Sequence, residues 1–157
     1  MPDLQSSVMS ELKRSLSEAV EEVFVTTFAV RPELIPPDEA SRGLSAIISL
    51  SGSITGYLAI HASPKAACTI ASNMLGDAYT EVDDIVCDAM GEMANMVGGS
   101  LKKYVGRSGT LFTISVPTIV QGRDYSTHTP KDAEQLLMGV SALDSRLTMQ
   151  LVVTEHR

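Results

Sequence analysis

The chain has 157 residues, a formal charge of −7, four Tyr, three Phe and no Trp. That length predicts one domain over 1–157 with a real core of Leu, Val, Ile, Ala and Met. The acidic balance argues against nucleic acid or an anionic membrane as partner, because both reward a basic surface.

Cys68 and Cys87 have no CxxC spacing, and His61, His128 and His156 are scattered. Neither a disulfide framework nor a metal site is expected. The start, "MPDLQSSVMSELKRS", lacks a basic segment followed by an apolar run, and no stretch is apolar enough to span a membrane. The expectation is a reduced, soluble, cytoplasmic protein.

Along the chain, Met9, Leu12, Leu16, Val20, Val23 and Phe24 recur at helical steps and predict a helix from Asp3 to about Ala29. "RPELIPPDEASRG" breaks it with three prolines and reads as a loop. A β-hairpin follows, Leu44–Leu50 with Gly56–Ala62, then a short helix opened by Pro64 and closed by Gly76. A second long helix is expected from about Asp83 to Val105, with Thr80 or Asp83 as cap and Gly106 as stop. "TLFTISVPTIVQG" reads as a strand whose Pro117 favours an edge or a bulge. "RDYSTHTPKDAE" is polar loop, and a last hairpin turns near Asp144–Ser145. The sum is an α+β fold: two long helices and a short one packed on a mainly antiparallel sheet of about six strands.

The stretch "GEMANMVGGS" poses a question, since each glycine inside a helix costs roughly 1 kcal/mol relative to alanine. On a wheel of about 100° per residue, Ile85, Val86, Ala89, Met90, Met93, Ala94, Met96, Val97, Leu101, Tyr104 and Val105 fill the arc expected to be buried. The opposite arc holds Asp84, Asp88, Glu92, Asn95, Gly98, Gly99, Lys102 and Lys103, with Gly91 beside it. Glu92 and Asn95, three apart, project together. Two readings are open at this point. They are ordinary surface residues on a weak helix, or the glycines bare a strip of backbone that lets a macromolecule approach Asn95.

No Ser-His-Asp or Cys-His set is present to supply a nucleophile. An amide can orient an attacking water, as a glutamine does in GTP hydrolysis, and an adjacent acid can pair with a cation on a partner. Both tasks suit a helix inserted into another protein's active site. Asp83, Asp84 and Asp88 suit a helix start, and Lys102, Lys103 and Arg107 a helix end with a possible share in docking. The methionines, among them Met90, Met93, Met96 and Met138, read as core filler.

"GEMANMVGGSLKKYV" resembles the signature of the CheX/CheC/FliY phosphatase family, a helix carrying Glu-x-x-Asn followed by a small residue and Gly, here Glu92, Asn95 and Gly98. "ISVPTIVQG" is similar to the family's Ser-x-Pro strand with a closing Gly, here Ser115, Pro117 and Gly122. The resemblance covers nearly the whole chain in element order and is nearest the CheX branch, because the first helix carries no Glu-x-x-Asn. It implies a homodimer that hydrolyses the phospho-aspartate of a CheY-like response regulator. Glu92 would pair with the regulator's lysine and Asn95 would align water, with Gly91, Gly98, Gly99, Asp88 and Lys102 at the partner surface. No cofactor of its own is implied; the regulator brings Mg²⁺. The rival reading is a non-catalytic module that binds a phosphorylated receiver domain or sits in a flagellar switch, and an α+β structural protein is a third.

Overall fold

The computed structural model describes residues 4–37, 42–122 and 129–155. Elements run α1 (Leu4–Phe28), β1 (Glu33–Ile35), β2 (Leu44–Gly52), β3 (Ile54–Ala62), α2 (Pro64–Leu75), α3 (Asp84–Gly106), β4 (Phe112–Ile114), β5 (Thr118–Gln121), β6 (Glu134–Ala142) and β7 (Ser145–Glu155). The expected α+β architecture is present, with seven strands where about six were expected. The extra one is β1, inside the proline-rich segment read as loop; its three residues pair with β6 through Leu34↔Val140. Three residues between prolines carry too little periodicity to register as a strand. Of the polar loop expected after Gly122, residues 123–128 lie outside the described residues.

Local chemistry sets the element ends. Ser63 caps α2 by accepting from the Ala66 N–H at 3.1 Å, and Pro64 opens the first turn. Gly76, at φ +76°, closes it, its N–H donating to the Ser72 carbonyl. Helix α1 ends where the periodicity placed its end, at about Ala29. Ala29 takes φ +57° and donates to the Val25 carbonyl at 3.1 Å, a left-handed stop without glycine. The β6–β7 hairpin turns on Leu143 and Asp144, both at φ +55°, the pair of positive angles that matches the twist of the flanking strands.

The sheet order is β1-β6-β7-β3-β2, and the far side of β2 is shared end to end by β4 and β5. All described pairings are antiparallel. Leu44, Ala46, Ile48 and Leu50 of β2, with Leu58 and Ile60 of β3 and Leu147, Met149 and Leu151 of β7, join one core with Leu12, Leu16 and Phe24 of α1 and Met90, Met93, Val97 and Leu101 of α3. Each such side chain contributes roughly 1.5–3 kcal/mol by leaving water. Of the methionines named from the sequence, Met90, Met93 and Met138 are core and Met96 is half-buried.

Strand alternation sends Ser45, His61 and Gln150 to the other face of the sheet. Ser45 Oγ and His61 Nδ1 are hydrogen-bonded at 2.6 Å, His61 Nε2 donates to Gln150 Oε1 at 2.7 Å, and Gln150 Nε2 donates to Gln135 Oε1 at 2.9 Å. Burial holds the His61 pKa below its ordinary 6.5 against the opposing bond to Gln150, and the charge of Arg42 adds to the lowering.

The approach of α3 to the sheet explains two of the three glycines. A Cβ on Gly98 would lie 2.2 Å from Ile48 Cδ1, and one on Gly91 would lie 3.1 Å from Pro117 Cγ. Both glycines are buried. Gly99 has open space. The bare strip expected around Asn95 is therefore corrected: Gly91 and Gly98 face the sheet, where a side chain would push the helix off it. The wheel misplaced them because it ranks positions by polarity, and glycine has no side chain to rank.

Two stability measurements follow. In urea titrations Gly99→Ala should gain up to about 1 kcal/mol by helix propensity, whereas Gly98→Leu should lose about 1–3 kcal/mol by overpacking. The second concerns pH. His61 is depressed in the fold, so its contribution is intact above 6.5, the unfolded value, and is lost as pH falls below it. The melting temperature should decline between pH 6.5 and 5, and less steeply in His61→Gln.

Candidate functional site: the outer ridge of the third helix

Helix α3 begins where Asp83 accepts from the Val86 N–H at 2.9 Å, with Asp84 in the first turn. Asp83 is thus a cap, and Thr80 lies outside the helix. The helix passes through Gly106, expected as its stop, and is capped by Arg107. Among the described residues no three of His, Cys, Asp and Glu gather where they could hold a metal ion.

Asp84, Asp88, Glu92, Gly99 and Lys102 are exposed along one side of α3, and Asn95 among them is half-buried. Of the seven residues singled out from the sequence, Asp88, Glu92, Asn95, Gly99 and Lys102 share this ridge; Gly91 and Gly98 do not reach the surface. The expected buried arc also needs correction at its margins. Ile85 is 49% exposed, since it sits in the first turn before the flanking elements close over the helix. Met96 and Tyr104 are half-buried at the border with α1.

Helix α1 runs antiparallel to α3 and braces it. Ser100 Oγ donates to Glu22 Oε2 at 2.6 Å, Lys103 Nζ pairs with Glu22 Oε1, and Ser108 Oγ donates to Glu11 Oε1 at 2.7 Å. Lys103 and Ser100 hold the Glu22 carboxyl below the usual carboxylate range, outweighing the opposite effect of its burial. Lys103 also lies 4.9 Å from the centre of the Tyr104 ring, and Arg107 lies 5.0 Å from it. Lys103 is therefore engaged within the protein, and Lys102 is the lysine that α3 presents outward. Between the helices an open groove of about 400 Å³ is bordered by Glu22, Thr26 and Thr27 of α1 and by Asn95, Gly99 and Lys103 of α3. The contribution of α1 was missed in the sequence, where Glu22 reads as one solvated acid among several; its pairing joins positions 78 and 81 residues apart.

On the opposite flank, the edge strand breaks at Ser115–Pro117. β4 pairs with β2 through Leu50↔Ile114, and β5 pairs with it through Ile47↔Thr118. Proline offers no N–H to the ladder, so it is accommodated at the interruption. Gln121 Nε2, beyond it, donates to Cys87 Sγ at 3.3 Å and ties β5 to α3. Cys87 and Cys68 are free thiols whose pKa values burial pushes up, which leaves both poor nucleophiles.

The ridge thus offers an acid and an amide one turn apart, projecting outward and flanked by α1 on one side and the broken strand on the other. The groove beside it is open to solvent.

The chain matches the family model described as "Chemotaxis phosphatase CheX" over residues 44–141. A protein of Thermotoga maritima named "CheY-P phosphatase CheX" is 28% identical over 123 residues, covering 77% of this chain and 79% of that protein. Among solved structures, chemotaxis protein CheX from Vibrio vulnificus superposes with a TM-score of 0.79 at 22% identity, covering 96% of this chain and 99% of the other. A CheX–CheY–BeF3–Mg²⁺ complex from Borrelia burgdorferi contains a chain that superposes with a TM-score of 0.80 at 22% identity, covering 92% and 98%. With more than half of its length matched by the family model and its fold shared with these structures, this chain belongs to the chemotaxis phosphatase CheX family.

Proposed function

We propose that the protein dephosphorylates the phospho-aspartate of a response-regulator receiver domain and that the outer ridge of α3 carries the activity. The observation that supports this most is the pairing of Glu92 and Asn95 on the outer side of α3, with no metal-holding cluster among the described residues. Such a face contributes to a reaction centre that lies on another molecule. The Thermotoga relative is named for its action on CheY-P, and the Borrelia structure pairs a CheX with CheY, BeF3 and Mg²⁺.

In this reading the receiver brings the phosphoryl group, Mg²⁺ and a lysine. Glu92, long and exposed, pairs with that lysine and fixes the orientation of the docked helix. Asn95 enters the receiver's site. Its side-chain carbonyl accepts from a water and its amide N–H₂ steadies the phosphoryl oxygens, so that the water lies in line with the scissile bond. The water oxygen bonds to phosphorus as the bond from phosphorus to the aspartyl oxygen breaks. The carboxylate leaves and inorganic phosphate is released. Gly99, without a side chain, clears the turn after Asn95, while Asp88 and Lys102 border the contact. Catalysis is almost entirely positioning, which is why two side chains on a braced helix suffice.

The half-burial of Asn95 favours this over a purely adhesive role. An amide partly recessed beside α1 loses rotamer freedom before docking, and pre-ordering is what water alignment demands. In a stopped assay of phosphate loss from a labelled receiver domain, Asn95→Ala should cut the rate acceleration at least ~100-fold and leave receiver affinity nearly unchanged. Glu92→Ala should weaken both. Equal decay with wild type and Asn95→Ala would remove the amide from the mechanism and leave a binding module.

A further inference from the structure

Where α3 lies along the sheet edge, helix and broken strand run in opposite directions. A Cβ on Gly98 would be 3.7 Å from Ile114 Cδ1, while one on Gly91 would be 3.1 Å from Pro117 Cγ and 3.7 Å from Ile119 Cδ1. The seven helical steps from Gly91 to Gly98 rise about 10 Å, and the chain from Ile114 to Thr118 lies against the three steps of β2 from Leu50 to Ile47, about 10 Å of strand. The two rulers match. Asn95 lies midway along the helical one, so the midpoint of the other, Ser115–Val116, is abreast of it.

Val116 is 83% exposed, the most exposed large apolar side chain among the described residues; the next, Leu111, is 65% exposed. A lone surface valine usually means nothing. This one is mounted rigidly. Ser115 N donates to the Ser49 carbonyl at 3.0 Å, Ser115 Oγ accepts from the Ser49 N–H at 2.8 Å, and the same Oγ donates to the Val116 carbonyl at 2.9 Å. On its other side Pro117 fixes its own φ and is pressed against Gly91. Valine itself has a stiff χ1. The backbone is thus held on both sides of a residue whose side chain touches little of its own protein.

We propose that Val116 is the apolar anchor of the docking face: it packs against the receiver domain at the rim of its phosphorylation site when Asn95 enters. This rests on the function proposed above and adds a residue that sets affinity and partner choice without touching the reacting atoms. Its geometry suits that role. A pre-ordered apolar side chain gives up little entropy on burial, and its neighbours Glu92 and Asn95 supply the polar contacts that orient the complex. The receiver surface it meets is apolar by this account.

The test uses Val116→Ala and Val116→Asp in the full chain, with affinity for a beryllofluoride-treated receiver domain and steady-state dephosphorylation as readouts. Circular dichroism and melting temperature should match wild type, because the side chain is solvent-facing. The expected result is a receiver affinity lowered a few-fold for alanine and at least ~10-fold for aspartate, with KM rising in parallel and kcat within about twofold of wild type. Unchanged affinity in Val116→Asp overturns the anchor, as does a fall in kcat at constant KM. If Asn95→Ala abolishes turnover while Val116→Asp behaves as wild type, the anchor fails and the proposed function stands. A wild-type protein that accelerates no receiver's dephosphorylation overturns both.

Discussion

The close seating of α3 on the sheet is the constraint from which the site's shape follows. Gly98 lets Ile48 reach the helix backbone, and Gly91 does the same for Pro117. Both contacts are with the flank of the helix, which leaves the ridge of Asp88, Glu92 and Gly99 in solvent and tips Asn95 to half-burial. A side chain at either glycine would crowd Ile48 or Pro117 and press the helix away from the sheet. Asn95 would move with it, and the water alignment proposed for it is sensitive to displacements of about 1 Å. The glycines that weaken the helix locally are therefore what fixes its depth.

Helix α1 holds the other flank. The Glu22 carboxylate ties Ser100 and Lys103 of α3 to a helix whose inner face, Leu12, Leu16, Val20 and Phe24, is wholly buried. This ion pair is partly exposed, so its contribution to stability is small. Its effect is local: it ties α3 to α1 along this flank and engages Lys103 within the protein. The broken strand completes the frame. Ser115 bridges to Ser49 and Pro117 rests on Gly91, so the interruption in the sheet edge is itself held in place.

Much of the fold was legible in the sequence because it is carried by local signals. Period-3.6 patterning located α1 and α3, Pro64 and Gly76 bounded α2, and alternation gave both hairpins. Pro117 marked the edge-strand break. What local signals cannot carry is contact between distant segments. Strand β1 is visible only as a partner of β6, and the brace from Glu22 only as a partner of Ser100 and Lys103. The stop of α1 at Ala29 rests on a positive φ that no residue type announced.

The candidate site was half legible. Glu92 and Asn95 stood out by residue type and by their spacing of three; on α3 Glu92 is exposed and Asn95 half-buried. The glycines stood out too, and the meaning of two of them, Gly91 and Gly98, was read on the wrong side of the helix. A helix wheel places side chains, and the residues in question had none; only the positions of Ile48 and Pro117 decide between a surface left bare for a partner and a groove filled by the sheet.

A structure of this protein bound to a beryllofluoride-treated receiver domain tests the central claim most directly. The account places the Asn95 amide at hydrogen-bond distance from the in-line water position on the modified aspartate, with Glu92 against the receiver's lysine. A complex formed through another face, or one in which Asn95 is turned away from that position, would contradict it.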